Sequence, residues 1–218
     1  MAESTRKADT VVEREIAKFL DRHLYSSDLF TKARRTDSLS EQIAGSDIVV
    51  STRDGRLVDA VVDEKVAARY ANRRLETFSL ELSFLDKNGD WTEGWFLDEQ
   101  KTTEYYLLGW ILDVDIPKRA DGTFNTELIT ADNIRRLQWA LVERDRIVRF
   151  LKEQSYPIDR LVRIDEAIRD RGYVKTNEFI NGVSFRYSNQ LQEEPINILL
   201  KKWKYLELAD YSGVINAR

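Results

Sequence analysis

Three residues whose chemistry suits phosphodiester cleavage lie between positions 47 and 65 of this sequence. Asp47 begins the apolar run DIVVST, and Asp63 and Lys65 lie late in the next run, RLVDAVVDEKVA. Two carboxylates can hold a divalent ion that polarises a phosphate and acidifies a water molecule. A lysine can position that water or offset developing negative charge. These residue types therefore predict a metal-dependent hydrolytic site, if the fold brings them together.

The two runs flank Arg53-Asp54-Gly55, which predicts a β-hairpin because Asp and Gly tolerate the left-handed backbone of tight turns. Side chains alternate along a strand, so Asp63 and Lys65 share one face while Glu64 points to the other. The sequence does not decide between two registers for the pairing of the hairpin strands. A two-residue turn places Asp47 opposite Val62, whereas a three-residue turn with a glycine bulge places it opposite Asp63.

Composition limits the chemistry that is available. The chain has no cysteine and a single histidine, His23, which excludes thiolate sites and disfavours histidine-based catalysis. A metal held by carboxylates would be a hard ion, Mg²⁺ or Mn²⁺. The start MAESTRKADT lacks a signal-peptide core and no run is long enough to cross a bilayer, so we expect a cytoplasmic protein without membrane contact.

Hydrophobic periodicity predicts the elements that must position these residues. An amphipathic helix is expected over 10–25, followed by a polar connection over 26–45 that could hold a short helix. Strands are expected at 47–52, 56–67, 77–86, 103–114 and 182–188, with a further hairpin after Lys87-Asn88-Gly89-Asp90. A long helix is predicted from Thr130 to about Gln154 and a shorter one from Pro157 to Arg171-Gly172, while 197–210 fits either strand or helix.

An opening helix, a meander of strands, an acid, and then acid-any-lysine resembles the PD-(D/E)XK nuclease superfamily. The resemblance covers residues 10–115 and implies an α/β fold, a mixed β-sheet flanked by helices, with a restriction-endonuclease-like core. Residues 116–218 would then be a helical and strand elaboration within a single domain, 1–218. It also implies a Mg²⁺- or Mn²⁺-dependent site on the central strands.

Carried over to this sequence, the resemblance makes Asp47 the first acid, Asp63 the second and Lys65 the lysine. The family usually places its motif on the second and third strands, whereas this hairpin is predicted from the first and second. An alternative assignment therefore takes Asp63 as the first acid and Glu81, on the polar face of the next strand, as the second. Glu81-Leu82-Ser83 lacks the lysine, which Lys65 or Lys101 would have to supply.

Basic residues provide candidate contacts to nucleic acid. Arg69, Arg73 and Arg74 follow the hairpin and could clamp a phosphate. On a helix from Thr130, one sector would carry arginines interleaved with aromatics, which suits phosphate contact and base stacking. Its members are Arg135, Trp139, Arg146, Arg149 and Phe150.

The sequence thus predicts a divalent-metal-dependent nuclease acting on nucleic acid; DNA is favoured over RNA as the partner, but the sequence does not decide between them. Asp47, Asp63 and Glu81 are the candidate metal ligands, and Lys65 is the catalytic assistant. The rival hypothesis is a non-catalytic protein-interaction module on the same scaffold, which the acidic pI of about 5.3 favours. On that view the acids and lysine form only a solvated strand face with cross-strand ion pairs.

Overall fold

The computed structural model describes residues 5–36, 38, 44–175 and 178–217. The chain opens with α1 (Thr5–Leu20), which continues as a π-helical turn over Asp21–Tyr25. This agrees with the helix predicted over 10–25. The apolar side chains that predicted it are all buried: Val12, Ile16, Phe19 and Leu20.

A six-stranded mixed sheet forms the centre of the fold. Its strands, in spatial order, are β1 (Phe30–Arg35), β2 (Ile48–Thr52), β3 (Ala60–Val66), β6 (Tyr105–Val114), β7 (Ile134–Glu143) and β10 (Tyr211–Asn216). Strands β3 and β6 run parallel, and every other neighbouring pair in this sheet is antiparallel. The connection between the two parallel strands contains part of a second sheet.

The second sheet is antiparallel and has four strands. Their order is β5 (Trp91–Glu93), β4 (Thr77–Leu85), β9 (Ile196–Lys201) and β8 (Val183–Tyr187). Three more helices complete the described part of the chain: α2 (Arg144–Glu153), α3 (Ile158–Arg171) and α4 (Lys202–Leu208).

The apolar core lies in two layers, one on each face of the six-stranded sheet. Strand β6 shows the division, because its side chains alternate between the layers. Leu107 and Ile111 pack in the layer that contains α1, whereas Tyr106, Leu108 and Trp110 pack in the layer that contains the second sheet and helices α2–α4. A residue on β3 therefore belongs to one layer or the other according to its position in the pleat.

Most of the predicted elements are confirmed. The hairpin strands, the strand with its hairpin at 77–93, the strand at 103–114, the helix after Pro157 and the strand at 182–188 are all present. Helix α3 ends as predicted, with Gly172 in the left-handed region at φ +70°. The ambiguous segment 197–210 contains both structures, since β9 ends at Lys201 and α4 begins at Lys202.

The connection over 26–45 was predicted wrongly, because its described part contains β1 rather than a short helix. Strand β1 is an edge strand whose central residues, Thr31–Arg34, are exposed. An exposed, charged edge strand has no alternation of apolar and polar residues, so periodicity does not reveal it. The prediction for 37 and 39–43 lies outside the described residues.

The long helix predicted from Thr130 to Gln154 is also wrong. Its first part is β7, which pairs with β6 and β10, and only Arg144–Glu153 is helical. A central strand covered on both faces carries apolar residues at nearly every position, so a spacing of three and four arises without a helix. The apolar residues Ile134, Leu137 and Leu141 are indeed buried, but on a strand.

The chain therefore has the predicted mixed α/β architecture, with a mixed sheet flanked by helices. Residues 116–218 supply β7 and β10 to the same sheet that contains the hairpin. Among the described residues, no helix is both long and apolar enough to cross a membrane.

Candidate active site

The β2–β3 hairpin has the register that brings Asp47 next to Asp63. Ile48 pairs with Val62 and Val50 with Ala60, whereas nearer the turn the Thr52 amide donates to the Leu57 carbonyl. The β3 side therefore holds one more residue than the β2 side between these two pairings.

The extra residue falls beside Asp59, whose φ is +52°. Its amide donates to Ser51 Oγ at 2.9 Å, which stabilises the irregular backbone. This arrangement is a bulge rather than the three-residue turn that the sequence offered as the second alternative. The regular pairing ends at Ile48 and Val62, and the Asp47 amide also donates to the Val62 carbonyl, yet the carboxyl groups of Asp47 and Asp63 lie close enough to form a hydrogen bond.

Within the described part of the chain, the hairpin consists of the second and third strands, because β1 precedes it. The sequence predicted the hairpin from the first and second strands, and the overlooked edge strand accounts for the difference. Strand β3 lies between β2 and the parallel β6 in the interior of the sheet. The site is thus built on interior strands, which hold side chains more rigidly than loops.

Asp63 is buried, with only 3% of its surface exposed. Burial raises the pKa of its carboxyl to about 7, because an ionised carboxylate loses hydration there. Lys65 opposes this shift, while the charge of Asp47 and a hydrogen bond between the two carboxyl groups add to it. The carboxyl groups of Asp63 and Asp47 therefore share one nearby positive charge, that of Lys65.

Asp47 lies half-buried against the residues that flank Asp63. Its amide donates to the Val62 carbonyl at 3.0 Å, and its Oδ2 accepts a hydrogen bond from the Glu64 amide at 2.7 Å. Together these bonds hold the carboxylate against β3. One carboxylate oxygen of Asp47 is therefore committed to the backbone.

Lys65 lies on the same face of β3 as Asp63, as the alternation predicted. Its Nζ is 2.8 Å from Asp63 Oδ1 and 5.3 Å from the ring centre of Trp95. Burial lowers the pKa of this ammonium, but the carboxylates of Asp63 and Asp47 outweigh that effect, so the pKa lies above its ordinary value. The lysine therefore carries a positive charge and partly neutralises the two acids.

One further residue, Tyr106, borders Asp63, and Arg144 lies next to Tyr106; the sequence reasoning did not identify either as a site residue. Tyr106 is the neighbour of Asp63 on β6 and is fully buried. Arg144, at the start of α2, donates from Nη2 to the Phe96 carbonyl at 3.2 Å. Burial raises the pKa of Tyr106 to about 12, while the Arg144 charge opposes the shift and Asp63 adds to it.

An unused hydrogen-bonding group accompanies this pair. The Arg144 Nε is buried without a hydrogen-bond partner in the described part of the chain, and the Tyr106 hydroxyl is buried next to the Arg144 side chain, which opposes the rise that burial causes in the tyrosine pKa by charge and hydrogen bonding. Trp95 covers Tyr106 edge-on, with 5.0 Å between ring centres. The sequence did not mark Tyr106, because a tyrosine in an apolar strand is ordinarily read as a core residue, and it did not mark Arg144, because the segment was predicted to lie inside a long helix.

Glu64, the middle residue of the acid-any-lysine motif, points to the opposite layer. It forms a bidentate ion pair with Arg35, at 2.5 and 3.1 Å, and Arg35 also pairs with Asp21 at 2.9 Å. Burial raises the pKa of Glu64, with the Arg35 charge opposing it. Its role is to join β3 to β1 and α1.

Glu81 lies on β4 in the second sheet, half-buried and on the face opposite its buried neighbours Leu80 and Leu82. No group of three or more acidic or histidine side chains that could hold a metal occurs among the described residues. Asp47 and Asp63 are thus adjacent without a third acid from Glu81. Lys101, the alternative lysine, lies 3.8 Å from Asp98.

The basic residues predicted to contact nucleic acid do not surround the acids. Arg69, Arg73 and Arg74 are exposed but lie beyond the far end of β3, where the Asn72 amide donates to the Ile111 carbonyl. That position is five residues along β6 from Tyr106, or roughly 17 Å at the rise of a strand.

Arg135, Arg146 and Arg149 do not share a helix face, because the predicted long helix does not exist. Arg135 is on β7, 3.8 Å from Asp115, whereas Arg146 and Arg149 are on α2. Arg146 binds Asp210 at 2.9 Å and the Leu208 carbonyl at 2.9 Å. Its guanidinium thus stabilises the packing of α2 against the segment after α4.

The donor set at Asp47 and Asp63 fits a hard divalent cation. The two carboxylates are adjacent, and the pKa of Asp63 is raised by burial and by the charge of Asp47. Mg²⁺ usually binds one or two carboxylates and completes its coordination shell with water and phosphate oxygens. Comparison with known proteins adds no constraint: no family model, curated protein or solved structure matches this chain.

Proposed function

We propose that this protein is a divalent-metal-dependent nuclease with a restriction-endonuclease-like core, which hydrolyses nucleic-acid phosphodiester bonds, those of DNA rather than RNA. The observation that carries the proposal is the adjacency of Asp47 and Asp63, with Lys65 paired to Asp63 on the same interior strand. The position of this hairpin as the second and third strands supports it further.

In this proposal Asp47 and Asp63 hold Mg²⁺ or Mn²⁺, which supplies Lewis-acid polarisation of the phosphate and acidifies water. Lys65 leaves its contact with Asp63, orients the attacking water and stabilises the charge that develops on the phosphate oxygens. Trp95 excludes bulk water from the charged groups beneath it.

One observation favours the second candidate, a non-catalytic interaction module. Lys65 already neutralises Asp63 at 2.8 Å, and no third acid joins the pair among the residues described here. A closed ion pair of this kind can stabilise a scaffold without any ion. The two candidates differ in whether a cation displaces the lysine.

The deciding experiment is isothermal titration of Mg²⁺ and of Mn²⁺ into the wild type and the Asp63→Asn variant, followed by cleavage assays on single- and double-stranded DNA and RNA. The nuclease proposal expects binding and cleavage in the wild type and neither in Asp63→Asn. The matched control is Asp59→Asn, an exposed acid on the same hairpin that pairs with Lys32 at 2.6 Å, and it should retain both. A wild type that binds neither ion and cuts no substrate would overturn the nuclease proposal and leave the interaction module as the candidate to test with partner proteins.

A further inference from the structure

A cleft that none of the candidate carboxylates lines lies between the end of α3 and the end of β8. Its volume is about 290 Å³, close to the lower limit for pockets that hold small organic ligands. No acidic residue lines it. The lining residues are Gly172, Tyr173, Val174, Arg186, Tyr187 and Asn189.

Aromatic rings form one side of this aromatic–arginine cleft. Tyr173 is 55% exposed, so most of its ring is available for contact. Tyr187 is half-buried and its hydroxyl is engaged by Glu194, which leaves the face of the ring for stacking. Trp91 lies behind it, with 6.5 Å between the two ring centres. Tyr173 and Tyr187 are thus the two rings that line the cleft, and Trp91 supports Tyr187.

Arginines supply the positive charge. Arg186 and Arg171 are exposed, and neither forms an ion pair with an acid in the described part of the chain. The Arg171 guanidinium lies 5.9 Å from the centre of the Tyr173 ring. Arg169 stacks on Trp91 at 5.6 Å but is already paired with Asp165. Two cations are thus available beside the rings.

We propose that this cleft binds a single strand of nucleic acid. Exposed rings bind the faces of unpaired bases, and unpaired arginines next to them bind the backbone phosphates. A base within a duplex cannot reach the rings, so the chemistry selects single strands. An acidic peptide would need only the arginine charges for binding, whereas an unpaired base also uses the faces of the tyrosine rings. This binding requires neither a metal nor an active carboxylate site.

The test measures fluorescence anisotropy of a labelled 15-nucleotide oligothymidylate with the full chain in EDTA, so that metal binding and cleavage play no part. Tyr173→Ala should weaken binding by about fivefold or more, the loss expected for one stacked base. The double variant Arg171→Gln/Arg186→Gln should lower the slope of log K against log salt by about 1.4, equivalent to two phosphate contacts on a single strand.

Two matched controls keep the test specific. Tyr70→Ala removes another exposed tyrosine, 48% accessible and beside Arg69. Arg163→Gln removes an arginine on α3 that is paired with Asp159 at 2.6 Å. Both should bind as the wild type does. The proposal is overturned if the wild type does not bind, or if an abasic oligonucleotide, a duplex or polyglutamate binds as tightly as oligothymidylate. Equal weakening by Tyr70→Ala would also overturn it and place the binding surface beyond β3.

The experiments distinguish a failure of the cleft proposal from a failure of the nuclease proposal. Loss of ion binding and cleavage in Asp63→Asn concerns the carboxylates alone, and the same variant should bind oligothymidylate in EDTA with unchanged affinity. Oligonucleotide binding without cleavage would leave the cleft as the functional site.

Discussion

Asp63 and Lys65, two residues apart on β3, form a buried ion pair with 2.8 Å between Oδ1 and Nζ. Asp63 is almost fully buried, while the Lys65 side chain remains 30% exposed beside Trp95. The lysine can therefore swing towards solvent or a substrate while the acid cannot. In the proposed nuclease, Asp63 would therefore be the fixed ion ligand and Lys65 the mobile group.

Lys65→Met tests that division of roles. The variant should still bind Mg²⁺, because both carboxylates remain, but its cleavage rate should fall by about 100-fold, the loss typical of removing one charge-stabilising group. Isothermal titration and single-turnover cleavage measure the two effects separately. Lys32→Met, which removes an exposed lysine paired with Asp59, is the control. Unchanged cleavage in Lys65→Met would exclude the lysine from catalysis.

The raised pKa of Asp63 predicts a pH dependence of stability in the metal-free protein. The folded state retains a proton up to about pH 7, whereas an unfolded aspartate loses it near pH 4. The contribution of Asp63 is therefore greatest below pH 4, declines as the pH rises through this window and is lost above pH 7.

Asp63→Asn removes this titration. Relative to the wild type, the variant should gain about 2 kcal/mol in the free energy of unfolding between pH 5 and pH 8. Urea denaturation in EDTA at several pH values measures the free energy of unfolding of both proteins. Subtracting the wild-type value from that of the variant removes the contributions that the other acids make equally to both. A difference that is constant with pH would show that Asp63 titrates in its ordinary range.

The Arg35–Glu64 pair should stabilise the fold without taking part in chemistry. Arg35→Met leaves the buried Glu64 carboxylate unpaired and should lower the free energy of unfolding by about 3 kcal/mol. Adding Glu64→Gln should recover part of the loss, because no buried charge is then left alone. Arg34→Met, at an exposed neighbouring position on β1, is the control and should change the stability little. Additive effects in the double variant would mean that the two side chains are not coupled.

The bulge at Asp59 should be sensitive to side-chain shape. A β-branched residue is strained at φ +52°, so Asp59→Val should cost about 1 to 2 kcal/mol of stability. Asp59→Gly should be tolerated, since glycine adopts this conformation freely. Thermal unfolding measures both variants. Equal destabilisation by the two would indicate that the lost ion pair with Lys32, rather than the backbone, is responsible.

The sequence by itself determined which residue types the candidate site contains and which hairpin carries them. The absence of cysteine and the single histidine exclude thiolate sites and disfavour histidine-based catalysis, which left carboxylates and lysine as the candidate groups. The Asp-Gly turn and the alternation of strand residues correctly predicted the hairpin and the shared face of Asp63 and Lys65. These features are local, because turn geometry and the strand pleat depend on neighbouring residues alone.

Tertiary structure decided the rest. Strand β7 was mistaken for a helix because burial on both faces erases the period that separates the two structures. The pairing that places Asp47 next to Asp63 depends on a bulge at Asp59, and the sequence of the turn does not predict that extra residue. Tyr106 and Arg144 join the site only through the parallel pairing of β3 with β6 and the start of α2 after β7. The raised pKa of Asp63 follows from that burial, because desolvation depends on what packs around a carboxylate and not on its neighbours in the chain.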